Sequence, residues 1–207
     1  MALYDVKPRF RALLQGLMPA LRGIHPDWIT FAGLLCSVAA AFLFQGAEAA
    51  RWRFLVIPVL LLLRIMCNAL DGMVAQATGK ARAFGEVLNE MADRLSDVAI
   101  LAGIAISSLS TLAWGLAATV GVLLSSYAGL LGKAVGAGRQ YGGVLGKADR
   151  MLYLGLVCVA AFFMGNPVLL ESGNISLRLF DALLAAFTVL ALVTTAQRVS
   201  AIHRALP

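Results

Sequence analysis

Apolar residues run along the chain in six long stretches, 28–44, 54–77, 84–107, 112–135, 151–164 and 179–201, each bounded by Gly, Pro, Ser or charged residues. A helix needs roughly 20 apolar residues to cross the hydrocarbon of a bilayer, so the pattern predicts six transmembrane helices. Residues 5–24 follow a different pattern: Phe10, Leu13, Leu14, Leu17 and Leu21 recur at helical spacing, with Lys7, Arg9, Arg11 and Arg22 between them. That alternation suits a helix lying in the membrane interface, and it lacks the uninterrupted apolar core and small-residue cleavage site of a secretory signal. The expected fold is all-α and integral to the membrane, six transmembrane helices preceded by an N-terminal interfacial amphipathic helix. Residues 1–26 form the juxtamembrane part and 27–207 the transmembrane domain.

Composition agrees. The 207 residues are 60% hydrophobic and 14% charged, with mean hydropathy +0.85, whereas soluble domains carry about a quarter charged residues. The three cysteines, Cys36, Cys67 and Cys158, all fall in apolar stretches without paired spacing and read as reduced packing residues. The net charge of +6 raises the question of nucleic acid, but the basic residues are scattered between apolar runs and do not stripe one soluble face. They sort by side of the membrane instead. Lys7, Arg9, Arg11, Arg22, Lys80, Arg82, Lys133, Arg139, Lys147, Arg150, Arg198 and Arg204 fall on the side of the termini, against only Arg51, Arg53 and Arg178 on the other. The excess places both termini in the cytoplasm. Asn174-Ile175-Ser176 matches a glycosylation sequon, a pattern too short to carry a function.

Charges within membrane segments are costly and mark candidate sites. The second span ends with Arg64, Asn68, Asp71, Gly72, Ala75 and Gln76, in which Asn68, Asp71 and Ala75 share one helix face. The third span opens with Glu86, Asn89, Glu90, Asp93 and Asp97, which at about 100° per residue lie within an arc of roughly 100°. The short connection 77–83 makes the two helices antiparallel neighbours, so their oxygen-bearing side chains converge. Such donors suit a hard divalent cation, and no His or Cys accompanies them as zinc would require.

Asn68, Asp71, Gly72, Ala75, Gln76, Gly85, Asn89 and Asp93 fall without a gap on the pattern Asp-x2-Asp-Gly-x2-Ala-Arg-x8-Gly-x3-Asp-x3-Asp. The chain thereby resembles the CDP-alcohol phosphotransferase family, whose six-helix architecture fits its whole length. His25-Pro26-Asp27-Trp28-Ile29-Thr30 is similar to the Pro-Asn-x-x-Thr segment that begins the family's first span. Three signature positions differ, with Asn68 and Asn89 in place of the first and third aspartates and Gln76 in place of the arginine. The resemblance implies a bacterial inner (plasma) membrane enzyme and a homodimer, with a cytoplasmic active site. It implies transfer of the phosphatidyl group of CDP-diacylglycerol to a small polar acceptor, with release of CMP.

By the same resemblance, Mg²⁺ or Mn²⁺ is held by Asn68, Asp71, Asn89 and Asp93, and Asp93 is the general base. Asp71, Gly72, Ala75, Gln76 and Gly85 contact the donor nucleotide. An amide oxygen can ligate metal but carries no charge, so two charges are missing: metal affinity falls, or one of two ions is absent. Glu86, Glu90 and Asp97 are auxiliary acids on the same face. The Gly-rich connection 132–150 carries Lys133, Arg139, Lys147 and Arg150, a composition suited to phosphate. It favours a polyol phosphate acceptor, such as glycerol 3-phosphate or an inositol phosphate. Two rival readings stay open: a relative that binds a CDP-linked lipid without turnover, and a transferase with an unusual CDP-linked donor. A transporter is a third, although no internal repeat is present.

Overall fold

The computed structural model describes residues 7–172 and 175–206. Asp5 and the sequon residue Asn174 lie outside them. Two short helices come first, α1 (Lys7–Gln15) and α2 (Met18–Leu21), in place of one continuous amphipathic helix. The break has a local cause. Pro19 stands in the first turn of α2, and its ring would collide with the carbonyl four residues earlier, that of Gln15. Leu14 is buried against Ile29, Leu70 and Val74, with Phe10, Met18 and Leu21 beside it, whereas Leu13 and Leu17 are exposed.

Six longer helices occupy the six apolar stretches: α3 (Pro26–Phe44), α4 (Arg53–Ala77), α5 (Ala83–Ala105), α6 (Leu112–Ala134), α7 (Lys147–Met164) and α8 (Leu179–Ala205). Among the described residues, α3, α4, α6 and α8 are long and apolar enough to cross a membrane. The first turns of α5 and α7 are rich in charge instead, and both stand at the same end of the bundle.

The connection between α7 and α8 departs from an all-helical chain. It forms an antiparallel hairpin of β1 (Val168–Ser172) and β2 (Ile175–Arg178), with Leu170 opposite Leu177 and Glu171 opposite Ser176. A connecting segment with Asn, Gly and Ser at its centre reads as a loop in sequence, but pairing its two arms satisfies their backbone groups locally.

In the bundle, α3 packs on α4 and α5, α4 on α7, α5 on α6, and α6 along α8. Lipid tails are as apolar as the helices, so close packing rather than expulsion from water holds such contacts. Small residues make the approach close: a Cβ on Gly103 of α5 would lie 2.6 Å from Ala41 Cα of α3. At one end Phe180 packs between Phe44 and Phe54, with ring centroids 6.1 and 5.9 Å away. Asp181 pins the loops at that end by accepting from the Ser110 hydroxyl (2.7 Å) and the Thr111 and Arg178 amides (2.8 and 3.1 Å). The opposite end gathers the C-termini of α4, α6 and α8 with the N-termini of α5 and α7.

Candidate active site

At this opposite end α3 packs on both α4 and α5, and polar side chains bridge the space between the latter two. Thr30, Gly33, Arg64, Asn68, Asp71, Asn89, Asp93 and Ser96 surround a pocket of about 10 Å³, the room of a single water or ion. All four residues at the signature's acidic positions are brought to it.

Their hydrogen bonds make the two remaining acids different. Asp71 is buried; its Oδ2 accepts from the Thr30 hydroxyl at 2.8 Å and its Oδ1 from the Gly72 amide at 2.6 Å. Asp93 Oδ1 accepts from Asn68 Nδ2 at 2.9 Å and from the Lys147 ammonium. The same Asn68 nitrogen donates to Asn89 Oδ1 at 2.7 Å. Among the described residues no three of His, Cys, Asp and Glu gather as a metal-holding group, so a cation here would rely on amide oxygens. The donor set of two carboxylates, two amides and the neighbouring Thr30 hydroxyl is hard and oxygen-only, and the pocket is ion-sized. It fits one divalent cation of the Mg²⁺ or Mn²⁺ kind.

The acids of α5 meet rung by rung the cations of residues 132–150, which the structure divides between the end of α6 (Lys133), the connection (Arg139) and the start of α7 (Lys147 and Arg150). Lys133 pairs with Glu86, Arg139 with Glu90, Lys147 with Asp93, and Arg150 with Asp97 at 2.7 Å. Side-chain exposure of the acids falls along the series from 53% at Glu86 through 15% and 13% to 1% at Asp97. The structure therefore places Glu86, Glu90 and Asp97 each against a cation. Asp97 also receives Arg64 at 3.1 Å and is held between two guanidinium groups.

Glycines let the connection lie on α6. The Gln140 amide donates to the Gly129 carbonyl at 3.1 Å, and a Cβ on Gly132 would lie 2.4 Å from the Gly138 carbonyl. From α8, Thr194 Oγ1 accepts the Leu145 amide (3.0 Å), Gln197 Oε1 the Val144 amide (3.1 Å), and Arg198 donates to the Gly142 carbonyl at 2.9 Å. A groove of about 1590 Å³ opens between α4, α7 and this connection. Asn68, Asn89 and Asp93 border both groove and pocket. One end of the groove is polar, with Arg94, Arg139, Lys147, Arg150 and Arg198, and the other apolar, with Pro58, Leu61, Leu62, Ile65, Leu156 and Val159.

Of the other expected residues, Gly72 and Gln76 are exposed and Ala75 and Gly85 half-buried; a Cβ on Gly72 would meet nothing within 4 Å. Lys133 is exposed and lies apart from the groove lining. Sequence reasoning assigned no site role to Arg94 and Arg198, which look like ordinary headgroup or ion-pair cations by position. Thr30 enters that reasoning only through the segment that begins the first span, and Arg64 only as a charge at the end of the second.

Residues 23–197 match the family model described as CDP-alcohol phosphatidyltransferase. The chain is 34% identical to the inner membrane protein YnbA of Escherichia coli (strain K12), over 75% of its own length and 78% of that protein's. It is 30% identical to the phosphatidylinositol phosphate synthase of Mycobacteroides abscessus, over 87% and 78% respectively. Among solved structures it is similar to Mycobacterium tuberculosis phosphatidylinositol phosphate synthase with CDP-DAG bound: TM-score 0.67, 21% identity, 93% of this chain and 92% of that one. The same enzyme in complex with manganese and citrate gives a TM-score of 0.66 at 22% identity, covering 94% and 88%.

Proposed function

Since the chain belongs to the CDP-alcohol phosphatidyltransferase family and is a membrane-embedded transferase of phospholipid biosynthesis, we propose that it transfers the phosphatidyl group of CDP-diacylglycerol to the hydroxyl of a polyol phosphate and releases CMP. Glycerol 3-phosphate and inositol phosphates are the acceptors its basic groove suits. The observation that carries this reading is the junction of three chemistries at Asn68, Asn89 and Asp93: an ion-sized pocket behind them, a basic surface on one side and an apolar track on the other.

Asp71 and Asp93, with the amide oxygens of Asn68 and Asn89, would hold a divalent cation, Mg²⁺ or Mn²⁺, which neutralises diphosphate charge toward an incoming nucleophile. The apolar track between α4 and α7 seats the acyl chains. Gly72, Ala75, Gln76 and Gly85, toward the ends of α4 and α5 that meet here, leave room for the nucleotide. Arg139, Lys147 and Arg150 hold the acceptor's phosphate, with Arg94 and Arg198 behind them. The Asp93 carboxylate takes the proton of the acceptor hydroxyl, whose oxygen attacks the lipid-side phosphorus while the bond to CMP breaks. Six spans, with residues 1–26 lying on the surface, put the termini and this site on the cytoplasmic side, and the active assembly is a homodimer.

The test is CMP release by purified protein given CDP-diacylglycerol, Mg²⁺ or Mn²⁺ and a panel of phosphorylated and free polyols, beside Asp71→Asn and Asp93→Asn. Release that requires metal and disappears in both variants supports the transferase, and the acceptor names the product. One observation favours a second reading: Asn68 and Asn89 stand where the family signature has acids and are hydrogen-bonded to each other at 2.7 Å, as in a lipid-binding relative without turnover. Folded protein that binds CDP-diacylglycerol but releases no CMP with any acceptor would establish that reading instead.

A further inference from the structure

Arg64 stands in the middle of α4 and is 2% exposed. One of its nitrogens, Nη2, is fully engaged: it donates to Asp97 Oδ1 at 3.1 Å and to the Asp93 carbonyl at 3.3 Å, and lies 4.0 Å from Asp93 Oδ1. Its other two, Nε and Nη1, are buried with no acceptor among the described residues, and Arg64 forms part of the wall of the ion-sized pocket. Buried donors without partners are uncommon and call for an explanation, and a free guanidinium N–H can donate a charge-assisted hydrogen bond to a phosphoryl oxygen.

The charges around it point the same way. Asp97 is shared by Arg64 and Arg150, so one positive charge there is not neutralised. Asp93 already faces Lys147, Arg94 and Arg64, whereas Asp71 is bound only by neutral donors, Thr30 and the Gly72 amide. The pocket therefore has a half that is rich in fixed cations and a half that holds a carboxylate free of them. Two neutral amides, Asn68 and Asn89, line it where acids would otherwise neutralise a second ion.

We infer that Arg64 is a donor-anchoring residue, a positive charge built into the chain that binds a diphosphate oxygen directly, so that the site takes a single divalent ion. This rests on the CDP-linked donor proposed above.

The experiment titrates detergent-solubilised wild-type protein with Mn²⁺, and with CDP in Mn²⁺ and in EDTA. One Mn²⁺ per chain and CDP binding that survives EDTA are expected. Arg64→Gln should lose the EDTA-resistant binding by about tenfold or more, the worth of a charged hydrogen bond, with Mn²⁺ still at one per chain and Arg64→Lys recovering part of it. Two Mn²⁺ per wild-type chain, or CDP bound in Mn²⁺ but not in EDTA, overturns the inference and leaves the donor reading standing. A folded Arg64→Gln with undiminished binding in EDTA also overturns it. No CDP bound even in saturating Mn²⁺ overturns the donor reading and the inference together. If the Arg64 variants do not fold, the wild-type measurements can still overturn the inference, by two Mn²⁺ per chain or by CDP binding that is lost in EDTA.

Discussion

The Thr30 hydroxyl donates to Asp71 Oδ2 at 2.8 Å, joining the first turns of α3 to the last turns of α4 across 41 residues of sequence. Both residues are buried, so the bond fixes which way the Asp71 carboxylate faces. Thr30→Val keeps the shape and removes the donor. CMP release should fall by about tenfold, equivalent to about 1.4 kcal/mol, with Thr30→Ser close to wild type. A Thr30→Val enzyme at wild-type rate would remove Thr30 from the site.

Asp93 and Asp97 are one turn apart, and their variants should fail differently. Asp97→Asn leaves Arg64 and Arg150 buried around a neutral amide, and breaking a buried pair in this way costs about 3–5 kcal/mol; the expected result is a large drop in melting temperature or loss of folded protein. Asp93→Asn should keep the fold and abolish turnover. Thermal unfolding in detergent, read beside CMP release, separates the two, and the opposite pattern would exchange their roles.

Glu90 is the ion-pair partner of Arg139, so if Arg139 holds the acceptor's phosphate as proposed, the two anions compete for it. Glu90→Gln should therefore lower KM for a phosphorylated acceptor by about two- to fivefold, the range of a partly exposed pair, while Arg139→Gln raises it. Initial rates against acceptor concentration at saturating donor give both numbers. A Glu90→Gln enzyme with raised KM would make this pair a positioning contact.

Gly143 has φ +123° and packs on Thr194, whose Cγ2 would be 2.4 Å from an added Cβ. Gly143→Ala should displace the 135–146 connection at a cost of about 1–3 kcal/mol. Acceptor KM should rise while donor KM is unchanged. Equal changes in both would mean that the connection does not serve the acceptor alone.

Much of this was legible in the sequence because hydrophobic length and period-3.6 spacing are local properties. The six helices begin and end close to where the apolar stretches do, and the spacing of Asn68, Asp71, Asn89 and Asp93 brought all four to one pocket. What escaped depended on distant neighbours. Which cation meets which acid of α5 is set by how the 135–146 connection lies on α6 and α8, through Gly129, Thr194 and Arg198, none of which carries a pairing signal. Arg64 shows the same limit: the sequence marks it as a charge within a membrane span, but its partners and its unpartnered donors appear only in the packed structure. The break before Pro19 was readable, since a proline ring acts on the preceding turn, but the apolar stripe runs straight through it.

The pairing of every basic residue among 132–150 with an acid of α5 changes what the net charge of +6 means for an approaching anion. A phosphate bound there, as proposed, would compete with an internal carboxylate at each cation, and those carboxylates are less exposed with each step inward. Shielding of this kind would favour a ligand that brings binding energy from elsewhere in the groove over a weakly held bulk anion.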